Sequence, residues 1–434
     1  MKTQVDNITR RHFLGIAAAA VGTGVVVACG GSTSSATQPT TTTPAKNQTI
    51  TVDEPSYLQP GYKEQITGLD QAFAAKYPTD IAKQVGPPFA QYRDQVLTQL
   101  QAGSPPDVIR IDDPQIQYYI TQNWLEPLNP WLKEAGFDPN SFINSEKDAI
   151  RDGHSYAVPR ETNPRVFIYN KGLYQKAGVS EPTDLATFKD AIKKTSDVAS
   201  GQFGMGIATK AGDPTGLMIQ LMPIVLGFGG SFYAGSKPTA TDPKVIAALE
   251  FVKGLWDGNQ IPRGLDAVTI NNLVSQGKIA SIISGSFVLL QTVRSNPPVG
   301  SQLTVAKNPL PSSTTMRATA WWGVPKKAQN KDLGARYIME LLQTDQQQQQ
   351  VELTGTLPAR PGMVPSSFTD KYPWFKDVVS IGYAGKAVSY FPQQIGSKGN
   401  DALVAIGTGV LSILFQNVAP DKAMQDVQSK LEQL

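Results

Sequence analysis

The chain has 434 residues, 40% of them hydrophobic, and a formal net charge of +3. So near neutrality there is no basic field of the kind that draws nucleic acid or an anionic membrane surface, and neither is an expected partner. A single cysteine, Cys29, allows no intrachain disulfide, so stability has to come from a large core, which this length permits.

Thr9-Arg10-Arg11-His12-Phe13-Leu14 is a twin-arginine pattern; an apolar stretch from Ile16 to Val27 follows, ending in the lipobox Val26-Val27-Ala28-Cys29-Gly30. A positive start, a short apolar run and small residues before a cleavage point mark a secretory signal, and paired arginines direct it to the Tat route. The run is about half the roughly 20 apolar residues that a spanning helix needs. Residues 1–28 are therefore expected to be removed as a signal peptide, leaving Cys29 as the lipid-bearing N-terminus. An ordinary anchor helix with an incidental cysteine is the alternative. Lys2, Arg10, Arg11 and Asp6 would leave with the signal and carry +2, so the mature chain is +1. No second apolar run reaches spanning length, which makes lipid the expected membrane anchor, on the outer face of the cell membrane or in the periplasm. Residues 29–48, rich in Ser, Thr, Pro, Ala and Gln, cannot bury enough surface to offset their ordering entropy and read as a tether.

From Ile50 onward, about 385 residues suggest two domains or more. Thr49 to Val52 reads as a strand, and Ile66, Leu69, Phe73 and Tyr77 fall at helical spacing. Tyr92, Val96 and Leu100 mark a second helix that stops at Gly103. Asp107 to Ile111, Val166 to Tyr169, Ile279 to Ile283 and Leu303 to Ala306 read as buried strands. Leu185, Phe188 and Ile192, then Val245 through Trp256, then Tyr337 through Leu342 read as amphipathic helices. Gln346 to Gln350 reads as a helix surface. The alternation predicts an α/β fold with mostly parallel sheets covered by helices, and ligands beyond the carboxyl ends of strands.

Catalytic signatures are thin. The mature chain holds one histidine, His154, in the turn Arg151-Asp152-Gly153-His154-Ser155, and no cysteine beyond the processing point. A His/Cys metal site is excluded by count, and no phosphate-cradling loop is present, so no cofactor and no metal are expected. The adjacent Asp112 and Asp113 would point to opposite faces of an extended segment, a poor placement for a glycosidase pair. Trp256 reads as core beside Val252 and Leu249. Trp321 and Trp322, between Thr319 and Gly323, are less tied to a helical stripe. Flat aromatic faces suit sugar rings, and Asp112, Asp113 and Glu161 could accept from hydroxyls, although capping roles would also explain these acids.

Several motifs occur in order: Gly103-Ser104-Pro105-Pro106-Asp107-Val108-Ile109; Asn123-Trp124-Leu125-Glu126-Pro127-Leu128; Asp152 to Pro159 with Tyr169 to Val179; Gln276 to Ala280 leading to Ser284-Gly285-Ser286-Phe287; Gly323-Val324-Pro325-Lys326; and Leu357-Pro358-Ala359-Arg360. On these the chain resembles the family 1 extracellular solute-binding proteins, maltose-binding-protein-like subunits that feed ABC importers of carbohydrates. The resemblance implies a two-lobed α/β fold, with a first lobe of residues 49–158 and 323–354, a second of 165–315 and 363–434, and hinge segments at 159–164, 316–322 and 355–362. It implies closure around a small solute, delivery to ABC permease subunits, no enzymatic activity, and a monomer. It places ligand contacts at Asp112, Asp113 and Glu161, at Phe287 where many members carry a tryptophan, at Trp321 and Trp322, and at Tyr57, Arg160 and Arg360. A polyamine or other small polar solute, a sensory or scaffold lipoprotein of the same fold, and a secreted enzyme remain as alternatives.

Overall fold

The computed structural model describes residues 47–383, 387–389 and 393–434. The twin-arginine signal, Cys29 and all but the last two residues of the tether lie outside the described residues.

Ten strands form the two larger sheets: β1 (Thr49–Asp53), β2 (Ile81–Gln84), β3 (Val108–Asp112), β4 (Val158–Pro164), β5 (Val166–Asn170), β6 (Phe203–Gly206), β7 (Ile279–Ser284), β8 (Leu303–Ala306), β9 (Thr315–Gly323) and β10 (Ala387–Val388). The first sheet has the order β10-β9-β3-β1-β2, with β4 also on β9; the second has the order β8-β5-β7-β6. Both are mixed, which corrects the expectation of mostly parallel sheets. β1 pairs in parallel with β2 and β3, but β9 runs antiparallel to β3 and β4, and β5 runs antiparallel to β7 and β8. Only Arg165 separates β4 from β5, so a single short link carries the chain from the first sheet into the second.

The helices that matter here are α1 (Tyr62–Lys76), α2 (Phe89–Ala102), α3 (Asp113–Thr121), α4 (Leu185–Thr195), α5 (Pro214–Gly227), α6 (Pro243–Asp257), α7 (Ala267–Ser275), α8 (Phe287–Ser295), α9 (Lys331–Leu341), α10 (Thr344–Thr354), α11 (Gly399–Phe415) and α12 (Pro420–Gln433). Their ends are set by local chemistry. α2 stops at Gly103, whose φ of 73° lies in the left-handed region that glycine adopts freely. Asp184, Asp213, Asp242 and Asp266 each accept a backbone N–H in the first turn of α4, α5, α6 and α7, satisfying donors that a helix start leaves orphaned.

The period of two along the strands sorts side chains into separate cores. In the first sheet Val108 and Trp322 face one layer with Ile50, Phe73 and Tyr337, while Ile109, Ile111 and Trp321 face the opposite layer with Tyr92 and Val96. In the second, Phe167, Tyr169 and Ile283 join the large cluster that holds Trp256, whereas Val166, Ile168 and Ile282 face the other side. The three segments expected as crossings lie side by side. β4 and β9 pair from Pro164 with Arg317 to Val158 with Trp322, and Leu357 bridges to Thr162.

Two further expectations are corrected. The glutamine run lies on a helix, α10, but Gln346, Gln347 and Gln350 are buried. Gln347 donates to the Leu341 carbonyl at 2.8 Å and accepts the Arg360 N–H at 3.1 Å, and Gln350 donates to Thr356 at 3.2 Å, so long amides staple backbone that no strand satisfies. The stretch Ile395–Phe415 is long and apolar enough, by length and composition alone, to cross a membrane; half of it is buried in the fold, where α11 packs on α12 and α5 as a core helix does. Gln347→Ala is expected to cost about 2 kcal/mol in chemical denaturation, since it orphans a buried carbonyl and N–H, whereas Gln348→Ala on the exposed side should stay within about 0.5 kcal/mol of the parent.

Candidate ligand site

A cavity of about 360 Å³ lies between the two sheets. From the first side come the turn Ser56 to Tyr62, Phe89 and Arg93 one turn apart on α2, Arg110 and Asp112 on one face of β3, and Asp113 opening α3. Glu161 and Asn163 follow at alternate positions of β4, with Arg165 just beyond, and Ala318 to Ala320 of β9 complete the floor. Across from them stand Thr215, Ile219 and Gln220 of α5, Ala267, Val268, Asn271 and Asn272 of α7, and Phe287 and Gln291 of α8. A second cavity of about 280 Å³ shares Gln59, Pro60, Tyr62, Phe287 and Gln291 with the first and continues toward Arg294 and Leu353.

Beneath the floor runs a lattice of buried charge. Arg110 reaches Glu54 at 3.2 Å, Asp112 at 3.0 Å and Glu161 at 3.7 Å; Arg160 reaches Glu54 at 2.9 Å and Glu161 at 3.1 Å. Arg93 adds a second guanidinium to Asp112. Burial alone would raise the Glu54 carboxyl, but Arg110 and Arg160, helped by the Ser56 N–H and the Trp322 indole, hold it below its usual range. Asp112 is likewise pushed up by burial and pulled further down by Arg93 and Arg110, to about 2. Burial alone would lower Arg110, but Glu54, Asp112 and Glu161 outweigh it and keep the guanidinium charged, well above its usual value. The guanidinium groups also lie on aromatic faces, Arg110 5.0 Å from the Phe89 centroid and Arg160 5.1 Å from that of Tyr62.

Asp113 behaves differently. Its carboxylate accepts the Thr319 N–H at 2.8 Å and the Trp321 indole N–H at 3.2 Å, yet burial, reinforced by Asp148 against the pull of Arg317, raises it to about 7. The acid is therefore largely protonated below neutrality.

Of the residues singled out in the sequence, Asp112, Asp113, Glu161 and Phe287 line the cavity. Trp321 and Trp322 do not: both are fully buried, one in each core layer, because neighbouring residues of β9 face opposite sides of its sheet. They act from underneath, donating their indole N–H groups to Asp113 and to Glu54. Arg160 is also fully buried and belongs to the lattice. Arg360 lies apart, donating to the Leu342 carbonyl at 3.0 Å with its guanidinium over the Phe137 ring. Tyr57 is half-buried and outside the lining, although its neighbours Ser56 and Leu58 are part of it. His154 is exposed on a short hairpin, as its turn context indicated. Tyr62, Phe89, Arg93, Arg110, Asn163 and Asn271 went unnoticed in the sequence. Alternation from Glu161 would have pointed to Asn163, and helical spacing from Phe89 to Arg93.

Residues 68–377 match the family model described as bacterial extracellular solute-binding protein. The chain belongs to that family. Its members are binding proteins, and the family places the chain outside the cytoplasm. The diacetylchitobiose-binding protein DasA of Streptomyces coelicolor is 27% identical over 218 residues, covering 49% of this chain and 49% of that protein, so the alignment spans about half of the relative. Two solved structures share the two-lobed fold: a Thermotoga lettingae solute-binding protein bound to α-D-tagatose (TM-score 0.80, 21% identity, 89% of this chain and 99% of that one) and maltose-bound MalE3 of Thermotoga maritima (0.79, 19%, 89% and 99%).

A group raised in the folded state contributes stability that is present below its unfolded value and lost as pH rises through its folded one. Asp113 should thus make the protein lose on the order of 4 kcal/mol between about pH 4 and pH 7 relative to Asp113→Asn, with the difference flat above that window. Denaturation midpoints across pH for the two proteins check the slope, whatever offset the substitution adds.

Proposed function

We propose that the chain is a lipid-anchored, extracytoplasmic carbohydrate-binding protein that closes around a mono- or oligosaccharide and hands it to the permease of an ABC importer. The observation that carries this reading is the composition of the cavity wall. The rings of Tyr62, Phe89 and Phe287 stand among carboxylates whose charges are already paired with arginine, a surface that offers apolar faces to sugar C–H groups and fixed acceptors to hydroxyls. The sugars named for DasA and for the two Thermotoga proteins support the same class.

The wall is contributed from both sheets, so a bound solute gains its full set of contacts only when the two sides approach; that differential contact is what favours a closed state. Bending would fall in residues 159–164, 316–322 and 355–362, between lobes of 49–158 with 323–354 and 165–315 with 363–434. Cys29 would carry the lipid after Tat export and cleavage, with residues 29–48 as the spacer, and the domain would work as a monomer. The polyamine alternative lacks a free carboxylate among the acids whose pairing is established.

Two measurements test this. In a thermal-shift screen of the mature protein against mono- and oligosaccharides, amino acids and polyamines, a saccharide at 100 times its Kd should add about 2.7 kcal/mol of stability. Phe287→Ala should weaken that hit about tenfold with little change in apo melting; shifts with amines alone would replace the ligand class. Cys29→Ala should abolish incorporation of labelled fatty acid and release the protein from the membrane fraction, and retained labelling would refute the anchor.

A further inference from the structure

Several polar groups of the cavity wall are already engaged by charge or hydrogen bond. Asp112 is held by Arg93 and Arg110, Glu161 by Arg110 and Arg160, and Asp113 by the Thr319 N–H and the Trp321 indole. The Ser56 hydroxyl accepts from Arg110, the Thr319 hydroxyl bonds that of Thr162, and the Gln220 side-chain oxygen accepts the Ala208 N–H. Asn163 and Asn271 differ. Both line the cavity, one on β4 and one on α7, and among the described residues neither Oδ1 has a hydrogen-bond partner although both atoms are out of water. Asn163 is only 6% exposed. A buried unpaired acceptor is costly, and the cost is recovered when a donor arrives.

We propose that Asn163 and Asn271 are the amides that read the solute, one from each wall, and that they read hydroxyl donors on an uncharged ligand. The inference rests on the carbohydrate reading and sharpens it. An ammonium could also donate to these oxygens, but it would bring into a closing cleft a charge whose natural partners, Asp112 and Glu161, are already neutralised by arginine. A hydroxyl brings a donor and no net charge, and two amides on opposite walls demand donors at two separated places on the molecule. The positions fit the local geometry. Asn163 shares the cavity face of β4 with Glu161, two residues earlier, and Asn271 lies one helical turn after Ala267.

The test uses the mature protein with matched probes: N,N′-diacetylchitobiose and maltotriose as neutral sugars, chitobiose as the diamine counterpart, and digalacturonate as the anionic one. Neutral members should bind and the diamine should not. By calorimetry, Asn163→Leu and Asn271→Leu should each weaken the best neutral hit at least tenfold. Their apo melting temperatures should be unchanged or raised, since leucine removes an unpaired buried acceptor; a merely structural amide would instead lower melting and leave affinity alone. Should Asn163→Leu not fold, Asn163→Ala carries the same comparison. Parent-like affinity in both variants, or binding confined to charged probes, overturns the inference while leaving a solute-binding protein in place. Silence from the parent with every probe would sink the carbohydrate reading, and the inference with it.

Discussion

Two guanidinium groups, Arg110 in the wall of the ligand cavity and Arg160 beneath it, are taken out of water, and the surrounding structure has to neutralise them. Removing one partner of such a pair costs about 3–5 kcal/mol, because the other charge is left buried and alone. The solution is shared between distant parts of the chain. Glu54 follows β1 directly, Arg110 and Asp112 are on β3, and Arg160 and Glu161 are on β4, so the ion pairs tie together strands separated by up to a hundred or so residues. Glu54, with no exposure at all, is the centre. It accepts from Arg110, the Ser56 N–H and the Trp322 indole and is ion-paired with Arg160, which leaves little freedom in where the Ser56 to Tyr62 turn can sit.

That constraint explains the role of the tryptophan pair. A nine-residue strand whose partners differ on its two edges must present something large to each layer beneath, and consecutive tryptophans do so by alternation. Their ring N–H groups then need acceptors, which Asp113 at the cavity wall and Glu54 beneath it supply. Asp113 therefore holds an indole on one side and lines the cavity on the other, while Glu54 holds its indole within the charge lattice underneath. Glu54 has two guanidinium groups in contact, whereas at Asp113 the pull of Arg317 is opposed by Asp148 and outweighed by burial, and the contrast between the lowered and the raised proton affinity follows from that difference in company.

Much of the fold was legible in the residues because its signals are local. Gly103 ends a helix where left-handed backbone is needed, the runs at Val108, Val166 and Ile279 become buried strands, and Trp256 packs with Val252 and Leu249. Asp112, Glu161 and Phe287 were found because each follows a recognisable motif. What failed were assignments that depend on which face a residue takes. Trp321 and Trp322 were placed at the cavity and lie below it; the glutamines of α10 were assigned to solvent and lie inside. The tryptophans were placed by their neighbours in sequence and by resemblance and the glutamines by their polarity, while Asp113 and Glu54, distant in sequence, satisfy the indoles and the nearer backbone at Leu341 and Arg360 satisfies Gln347. Arg93 and Arg110 were not singled out as site residues: Arg110 entered only as part of the buried strand Asp107 to Ile111, and the carboxylates that hold both arginines meet them through the fold.

A floor that satisfies its own charges also shapes how the cleft can discriminate. Were Asp112 and Glu161 free, any cation would be drawn in, and affinity would fall steeply with salt. Paired as they are, they still offer lone pairs in fixed directions but exert little net attraction over distance. Recognition then shifts to short-range terms: the fit of ring faces against Tyr62, Phe89 and Phe287, and the pairing of individual donors, each of which vanishes when a group is displaced by an ångström or two. Such terms also depend on both walls being in place, because Phe287 and Asn271 stand across from Phe89 and Asn163. Neutralising the floor thus couples selectivity to closure: a solute is distinguished by how well it lets the two walls meet, and less by how strongly either wall attracts it.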